Sequence, residues 1–245
     1  MGINHSPNIV LNGLVMCLDA ANIKSYPGSG SLWTDISGKG NNATLLNGPT
    51  FSPTNNGGIV FDGSTQYSHP PISLSYLNSC TMEATFNSSV YVAGAKTIFG
   101  YAQKSGYTAP TIGSMYINTG TLTASIIGVT DGYRYVTGGT ILANRNYHVT
   151  FTKDTIKGIL QLYVNGILMG TQTFTAANYA QWTTLGSYIG TNVLDIAKST
   201  NTVAGQGWST DYFNGTIYGL KVYSRVLSSS EIQQNFNALR SRYGV

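Results

Sequence analysis

Carboxylates are the first residues to consider for chemistry, and this chain has only seven Asp and two Glu among its 245 residues. Glycoside hydrolysis requires a pair of carboxyl groups about 5–10 Å apart on either side of the scissile bond. Glu83 has no acidic residue within several positions, and Glu231 fits a helix cap. No predicted strand carries an acidic pair at positions i and i+2, and most Asp fall in turn-like segments. The sequence therefore predicts a protein that is not an enzyme.

A loop between Asp35 and Asn42 is the best candidate for a metal site. Its Asp35, Ser37, Asn41 and Asn42 offer a carboxylate, a hydroxyl and two amides, and Ca²⁺ prefers six to eight oxygen ligands. One carboxylate makes a weak site, however, and Asp commonly closes its own turn through backbone N–H groups. Two interpretations stay open: calcium ligands Asp35, Asn41 and Asn42, or a turn anchored by Asp35. No other cofactor is predicted.

Aromatic residues in loop-like segments are candidates for ligand binding. Tyr and Trp combine a large apolar surface with a polar group, which suits both sugar stacking and protein contacts. The alternative is that each ring packs its loop onto the core. The predicted ligand-binding residues are Tyr101, Tyr107, Trp182, Trp208 and Tyr212, with Tyr133 and Tyr135 as further members of the set.

Composition favours a β-rich globular chain. Only 9% of the residues are charged, whereas there are 29 Gly and 17 Tyr. Disordered chains combine low hydrophobicity with high charge, so this composition excludes disorder. The net charge is +4, but the cations are scattered, so no nucleic-acid partner is predicted. No apolar run approaches the length of a membrane span, and no signal peptide is recognised, so we expect synthesis in a cytoplasm.

Turn signals recur every 8–12 residues and separate short β-rich runs, which is typical of a sandwich or barrel. Alternation in Tyr147–Thr152 predicts a strand, and Asn165-Gly166 predicts a two-residue hairpin turn because both residues accept positive φ. One helix is predicted near the end of the chain, where Ser228 and Glu231 form a capping box and Gly244 ends the helix. Cys17 and Cys80 lie in apolar runs. We expect either two buried free thiols or one disulfide between them.

Several segments, in this order, resemble a laminin-G-like domain of the concanavalin A-like lectin/glucanase superfamily. The most specific pair is Tyr147-His148-Val149 followed by Leu162-Tyr163-Val164-Asn165-Gly166. The other matching segments are Gly13–Asp19, Trp33–Asn42, Phe61–Tyr67, Tyr188–Gly190 and Phe213–Ser228. The resemblance implies an all-β, antiparallel jelly-roll β-sandwich with one short C-terminal helix and with its first and last strands adjacent. The segments before Trp33 and after Ser228 are similar to modules of tailed-bacteriophage virion proteins.

The resemblance leads to two functional hypotheses for a single domain over residues 1–245 with an N-terminal extension over 1–8. The first is a non-enzymatic structural protein of a virion that decorates a phage capsid or tail in many copies. Its partners would be other virion proteins, and its location the virion. The alternative is a lectin-like adhesin module that binds a surface glycan.

Overall fold

The computed structural model describes residues 7–72, 79–89, 95–102, 114–128, 132–175, 193–199 and 211–245. Within these ranges the chain forms eighteen strands, one turn of 3₁₀-helix at Thr54–Asn56 and one α-helix, α1, at Ser229–Tyr243. The strands are β1 (Leu14–Asp19), β2 (Leu32–Trp33), β3 (Ala43–Leu46), β4 (Thr50–Ser52), β5 (Gly58–Asp62), β6 (Tyr67–His69), β7 (Cys80–Ser88), β8 (Ala95–Ala102), β9 (Ser114–Asn118), β10 (Thr121–Gly128), β11 (Gly132–Thr140), β12 (Asn146–Asp154), β13 (Ile159–Val164), β14 (Ile167–Thr173), β15 (Val193–Ile196), β16 (Lys198–Ser199), β17 (Asp211–Tyr212) and β18 (Asn214–Tyr223).

Two eight-stranded antiparallel sheets form a sandwich, as the resemblance predicts. The first sheet has the order β14-β13-β12-β7-β18-β5-β4, with β1 paired to β18. The second sheet has the order β11-β10-β9-β8-β15-β6-β3-β2. Strands β16 and β17 form a separate two-stranded ribbon. Because β1 and β18 are neighbours, the predicted adjacency of the first and last strands is confirmed.

Alternating side chains build the core between the sheets. On β12, Tyr147, Val149 and Phe151 point into it, as predicted from their spacing. Phe86 fills the same layer from β7, with its ring edge-on to Phe213 at a centroid distance of 5.7 Å. Trp33 is fully buried in this core. Each fully buried aromatic or aliphatic side chain contributes about 2–3 kcal/mol to the free energy of folding.

Local signals placed the hairpin and the helix correctly. Asn165 and Gly166 have φ values of 51° and 77°, which is the geometry that the β13–β14 turn needs. The Ser228 and Glu231 side chains form the predicted capping box, and Gly244 ends α1 in the left-handed conformation. Helix α1 packs on the outer face of the first sheet through buried residues Ile232 and Leu239.

Other parts of the prediction were less complete. Strand β1 begins at Leu14, because residues 11–13 turn before the strand. Short strands such as β2, β15 and β16 have no alternation long enough to reveal them. Cys17 and Cys80 are both buried and free, so the disulfide alternative is wrong. Among the described residues, no helix is long and apolar enough to cross a membrane.

The two sheets approach closely along one edge, where β11 meets β14. A Cβ atom on Gly138 would lie 2.9 Å from the backbone of Met169, and one on Gly170 would lie 2.5 Å from the carbonyl oxygen of Thr137. Contacts this short leave no room for a side chain. Glycine is therefore required at both positions for the edge strands to meet.

Candidate functional site

The structure brings one of the predicted ligand-binding aromatics into a cluster of polar side chains. Tyr107, Trp182 and Trp208 lie outside the described residues. For Tyr101 the description is limited to its backbone on β8, opposite Leu194. Tyr212 lies on β17, opposite Lys198 of β16, in the ribbon that covers part of the second sheet.

This cluster, which we call the outer-face cluster, consists of Tyr67, His69, Asp195, Lys198 and Tyr212. Strand register explains its position. Leu45, Ser68 and Ile196 pair across β3, β6 and β15, and these side chains are buried towards the core. Because neighbouring residues on a strand point to opposite faces, Tyr67, His69 and Asp195 lie on the outer face of the second sheet.

A histidine–carboxylate pair forms the centre of the cluster. His69 Nδ1 lies 2.7 Å from Asp195 Oδ1, and the His69 side chain is 36% exposed whereas that of Asp195 is only 3% exposed. Burial raises the pKa of Asp195 above its usual value, although the His69 hydrogen bond and the charges of His69 and Lys198 oppose this. With the carboxylate ionised, Nδ1–H donates to Asp195. The other ring nitrogen of His69 is then available to a ligand.

Lysine and tyrosine side chains form the adjacent part of the cluster. Lys198 Nζ lies 3.9 Å from the centroid of the Tyr67 ring and 5.9 Å from that of Tyr212, a cation–π arrangement. The ribbon that carries Lys198 sits close to the sheet at Gly100, where a Cβ atom would come within 3.1 Å of Ser199. The result is a half-exposed surface that offers an ammonium group, an imidazole and two phenols.

The predicted calcium loop is organised by hydrogen bonds within the chain. Asp35 Oδ1 accepts from the Cys17 and Ser37 backbone N–H groups at 2.8 and 2.9 Å, and Oδ2 accepts from the Ser37 hydroxyl and the Asn41 backbone N–H at 2.8 and 2.9 Å. Asn42 Oδ1 accepts from the Asp35 backbone N–H, and Asn41 Nδ2 donates to the Val15 carbonyl. These contacts are those of the turn interpretation, and they fasten the loop to β1.

Calcium at this loop stays a prediction. Both Asp35 oxygens already accept two hydrogen bonds each, so a metal ion would have to displace donors of the chain. Within the described ranges, no three His, Cys, Asp or Glu side chains come together as a metal site.

A second polar network lies buried between the first sheet and α1. Glu83 is fully buried on β7, and Asn235 Nδ2 lies 3.0 Å from each of its carboxylate oxygens. Lys221 Nζ and His148 Nε2 lie 3.8 and 3.6 Å from Glu83 Oε2, beyond ordinary hydrogen-bond length, and Lys221 supplies the countercharge. Burial alone would raise the pKa of Glu83, but His148, Lys221 and Asn235 outweigh it and lower the pKa below its usual value. This network fastens the helix and is closed to ligands.

Sequence reasoning missed Tyr67, His69, Asp195 and Lys198 as members of one site. The Asp195 and His69 positions are 126 residues apart, and no local pattern links them. One signal was present: Asp195 interrupts the apolar run Val193-Leu194-Asp195-Ile196. A carboxylate in such a run is buried and requires a partner.

The fold and the cluster define a lectin-like β-sandwich with a polar and aromatic surface on one sheet. Residues 61–233 match the laminin G-type family model (Laminin_G_3) of the concanavalin A-like lectin/glucanases superfamily. The chain belongs to this superfamily. A comparison with curated protein sequences finds no match.

Solved structures with the same fold come from larger proteins. The binding domain of botulinum neurotoxin DC in complex with sialylT superposes with a TM-score of 0.65 at 14% identity, covering 94% of this chain and 52% of that chain. The sialidase of Trypanosoma rangeli in complex with 2,3-difluorosialic acid gives a TM-score of 0.64 at 19% identity, covering 94% of this chain and 34% of that chain. This chain therefore spans about half of the toxin domain and a third of the sialidase. At such identities the likeness concerns the fold alone.

Proposed function

We propose that this chain is a non-enzymatic binding domain that recognises a glycan through the outer-face cluster. The observation that carries the proposal is the His69–Asp195 pair beside Lys198 and two tyrosines on a half-exposed sheet face. Sugar hydroxyls need both donors and acceptors, and sugar rings need an apolar surface. His69, Lys198 and the tyrosines supply all three.

Two kinds of observation support glycan binding. The botulinum neurotoxin DC binding domain was solved with sialylT, and the Trypanosoma rangeli sialidase with 2,3-difluorosialic acid. The outer-face cluster also contains one carboxylate, Asp195, whereas most glycoside hydrolases use two. A binding role therefore accounts for the cluster better than hydrolysis does.

The test is a glycan array with the full chain, followed by titration of the best ligand. His69→Gln keeps a hydrogen-bonding group near Asp195, and Tyr67→Ala removes one ring. Losing one hydrogen bond or one ring contact is worth about 1 kcal/mol, so each variant should weaken binding at least about fivefold. Ile156→Ala is the control, because Ile156 is 88% exposed and lies in the turn between β12 and β13 of the first sheet, outside the cluster.

Three outcomes would contradict the proposal. These are the absence of any glycan on the array, variants that bind like the wild type, and an equal loss in the Ile156→Ala control. The melting temperature of each variant must stay near that of the wild type, so that weaker binding reflects the surface and not unfolding.

A structural role in a virion is the second candidate, and it is favoured by an apolar surface on β14. Ile167, Leu168 and Met169 are 64%, 47% and 43% exposed. Consecutive exposed apolar residues are typical of protein contacts, here with neighbouring copies or other proteins of a capsid or tail. Imaging of an intact particle at side-chain resolution tests this role. A particle in which β14 of this chain packs against a neighbouring protein would support the structural role. The role would be overturned if the protein were found free of any particle.

A further inference from the structure

A groove rich in asparagine lies beside the first sheet, at the C-terminal end of α1. Five asparagines and one arginine form most of its lining, Tyr147, Gly244 and Val245 complete it, and its volume is about 420 Å³. Ligand pockets commonly have volumes of about 300–1,000 Å³, so the groove has room for a sugar unit. We call it the asparagine groove, and its side chains are Asn55, Asn87, Asn144, Arg145, Asn146 and Asn165.

Asn146 holds the middle of the groove in place. Its Oδ1 accepts from Asn87 Nδ2 at 2.8 Å and from the Tyr218 hydroxyl at 3.0 Å, while its Nδ2 donates to the Tyr243 carbonyl at 2.6 Å. Asn55 Nδ2 donates to the same Tyr218 hydroxyl at 2.8 Å. These bonds connect β7, β12, β18 and the end of α1. The amides around Asn146 are therefore fixed before any ligand arrives.

Several side-chain atoms of the groove are not used in these bonds and can form hydrogen bonds with a ligand. Asn55 and Asn87 use their Nδ2 groups within the chain, which leaves both Oδ1 atoms as acceptors. Asn165 uses Oδ1 to accept the His148 backbone N–H, which leaves its Nδ2 as a donor. Within the described residues, no contact engages the side chains of Asn144 and Arg145. The groove thus presents donors and acceptors together with one unpaired guanidinium.

Backbone geometry explains only part of this composition. Asn55, Asn144 and Asn165 have φ values of 53°, 60° and 51°, which asparagine tolerates better than most residues. Asn87 and Asn146 lie on strands, where no such requirement exists. Arg145 is exposed beside them, and no Asp or Glu side chain lines the groove. Val245 also lines it, and in the described part of the chain the main-chain carboxylate of this residue forms no ion pair with Arg145. An unpaired cation among fixed neutral amides is suited to a ligand that carries both a negative charge and hydroxyl groups.

We propose that the asparagine groove binds a carboxylate-bearing sugar. The guanidinium of Arg145 would pair with the carboxylate through two parallel hydrogen bonds, a geometry that a planar fork provides and an ammonium does not. The asparagine amides would donate to and accept from the hydroxyl groups of the ring. The groove lies beside the first sheet, whereas the outer-face cluster lies on the second sheet. This site therefore does not depend on the glycan site proposed above.

The test compares glucuronate with glucose, which differ only in the group at C6. Each is titrated into the full chain while NMR follows the side-chain resonances of Arg145 and the groove asparagines. Glucuronate is expected to shift these resonances and to bind at least about tenfold more tightly than glucose. Arg145→Ala should weaken glucuronate binding about tenfold to a hundredfold, and Arg145→Lys should give an intermediate loss. Lys157→Ala, which removes an exposed cation outside the groove, should bind like the wild type.

The proposal is overturned if tens of millimolar glucuronate leave the groove resonances unshifted, if glucose binds equally well, or if Arg145→Ala binds within twofold of the wild type. Binding of glucose 6-sulfate without binding of glucuronate would also overturn it, because the site would then recognise a sulfate ester. His69→Gln should leave glucuronate binding unchanged, so failure of the outer-face site and failure of the groove give different patterns.

Discussion

Replacing the buried Glu83 with glutamine is expected to lower the free energy of unfolding by about 3 kcal/mol at pH 7. Glutamine has nearly the same shape and keeps an oxygen that can accept from Asn235. The charge is lost, however, and the Lys221 side chain, which is only 8% exposed, then lacks its countercharge at 3.8 Å. The perturbation therefore isolates the charge of the network that fastens α1.

The magnitude follows from the burial of both partners. Removing one member of a buried ion pair costs about 3–5 kcal/mol, because the other charge is left uncompensated. The retained hydrogen bond from Asn235 and the residual exposure of Lys221 place the expected loss at the lower end. In a chain of this size 1 kcal/mol shifts the melting temperature by about 2–4 °C, so the midpoint should fall by about 6–12 °C.

Urea unfolding of wild type and Glu83→Gln at several pH values is the appropriate assay. The pKa of Glu83 in the folded protein lies below its usual value of 4.5, so the unfolded state binds this proton more readily. The stability that the carboxylate contributes is therefore fully present above about pH 4.5 and is lost as the pH falls through the folded pKa. The difference between wild type and variant should be constant near neutrality and should narrow only in strong acid.

Two further variants complete the experiment. Lys221→Met combined with Glu83→Gln removes both charges and should recover part of the lost stability, because neither charge is left alone. Lys157→Gln, which disrupts the exposed pair with Asp154, should change stability by no more than about 0.5 kcal/mol. A loss below about 1 kcal/mol for Glu83→Gln at pH 7, or a double variant less stable than the single one, would refute the reasoning.

Three further predictions concern glycine substitutions, the Asp35 loop and the two thiols. Gly215→Ala should prevent folding or nearly so, because φ is 144° and the new Cβ would overlap the backbone of β7. Gly30→Ala, at φ 94° in open space, should lower the free energy of unfolding in urea by only about 1–2 kcal/mol. Equal losses in the two variants would contradict this. Asp35→Ala should lower the free energy of unfolding by about 3 kcal/mol, because four hydrogen bonds lose their acceptor. The melting temperature of the wild type should be the same in calcium and in chelator. A rise with calcium would favour the metal interpretation instead. Burial raises the pKa of Cys17 to about 11, and burial also raises that of Cys80, so neither thiol should react with a disulfide reagent at pH 8 until the protein is unfolded.

Local signals explain why much of the fold was predictable. Strand alternation at Tyr147–Phe151, the Asn165-Gly166 turn and the cap formed by Ser228 and Glu231 all involve residues within a few positions of one another. Such features depend on backbone conformation and on burial of one face, which a short segment largely determines. The resemblance then supplied the order in which the elements join into a sandwich.

The candidate site was harder to predict because its contacts are long-range. Tyr212 was predicted from its loop-like surroundings, but its proximity to Lys198 and Tyr67 depends on how the β16–β17 ribbon lies on the second sheet. Glu83 and Asn235 are 152 residues apart and meet only because α1 covers the first sheet. An acidic residue in an apolar run indicates that a partner exists, but only the folded structure identifies that partner.

The close approach of β11 and β14 has a consequence for self-association. Edge strands with unpaired backbone groups are templates on which another chain can add a strand and start aggregation. At Gly138 and Gly170 the faces of these two edge strands pack against each other, at distances that exclude even a methyl group. Neither strand can therefore move away to pair with another chain unless the two sheets separate along this edge. Neighbouring copies that meet this side of the sandwich would find the exposed side chains of Ile167 and Leu168 on a strand that is held in place.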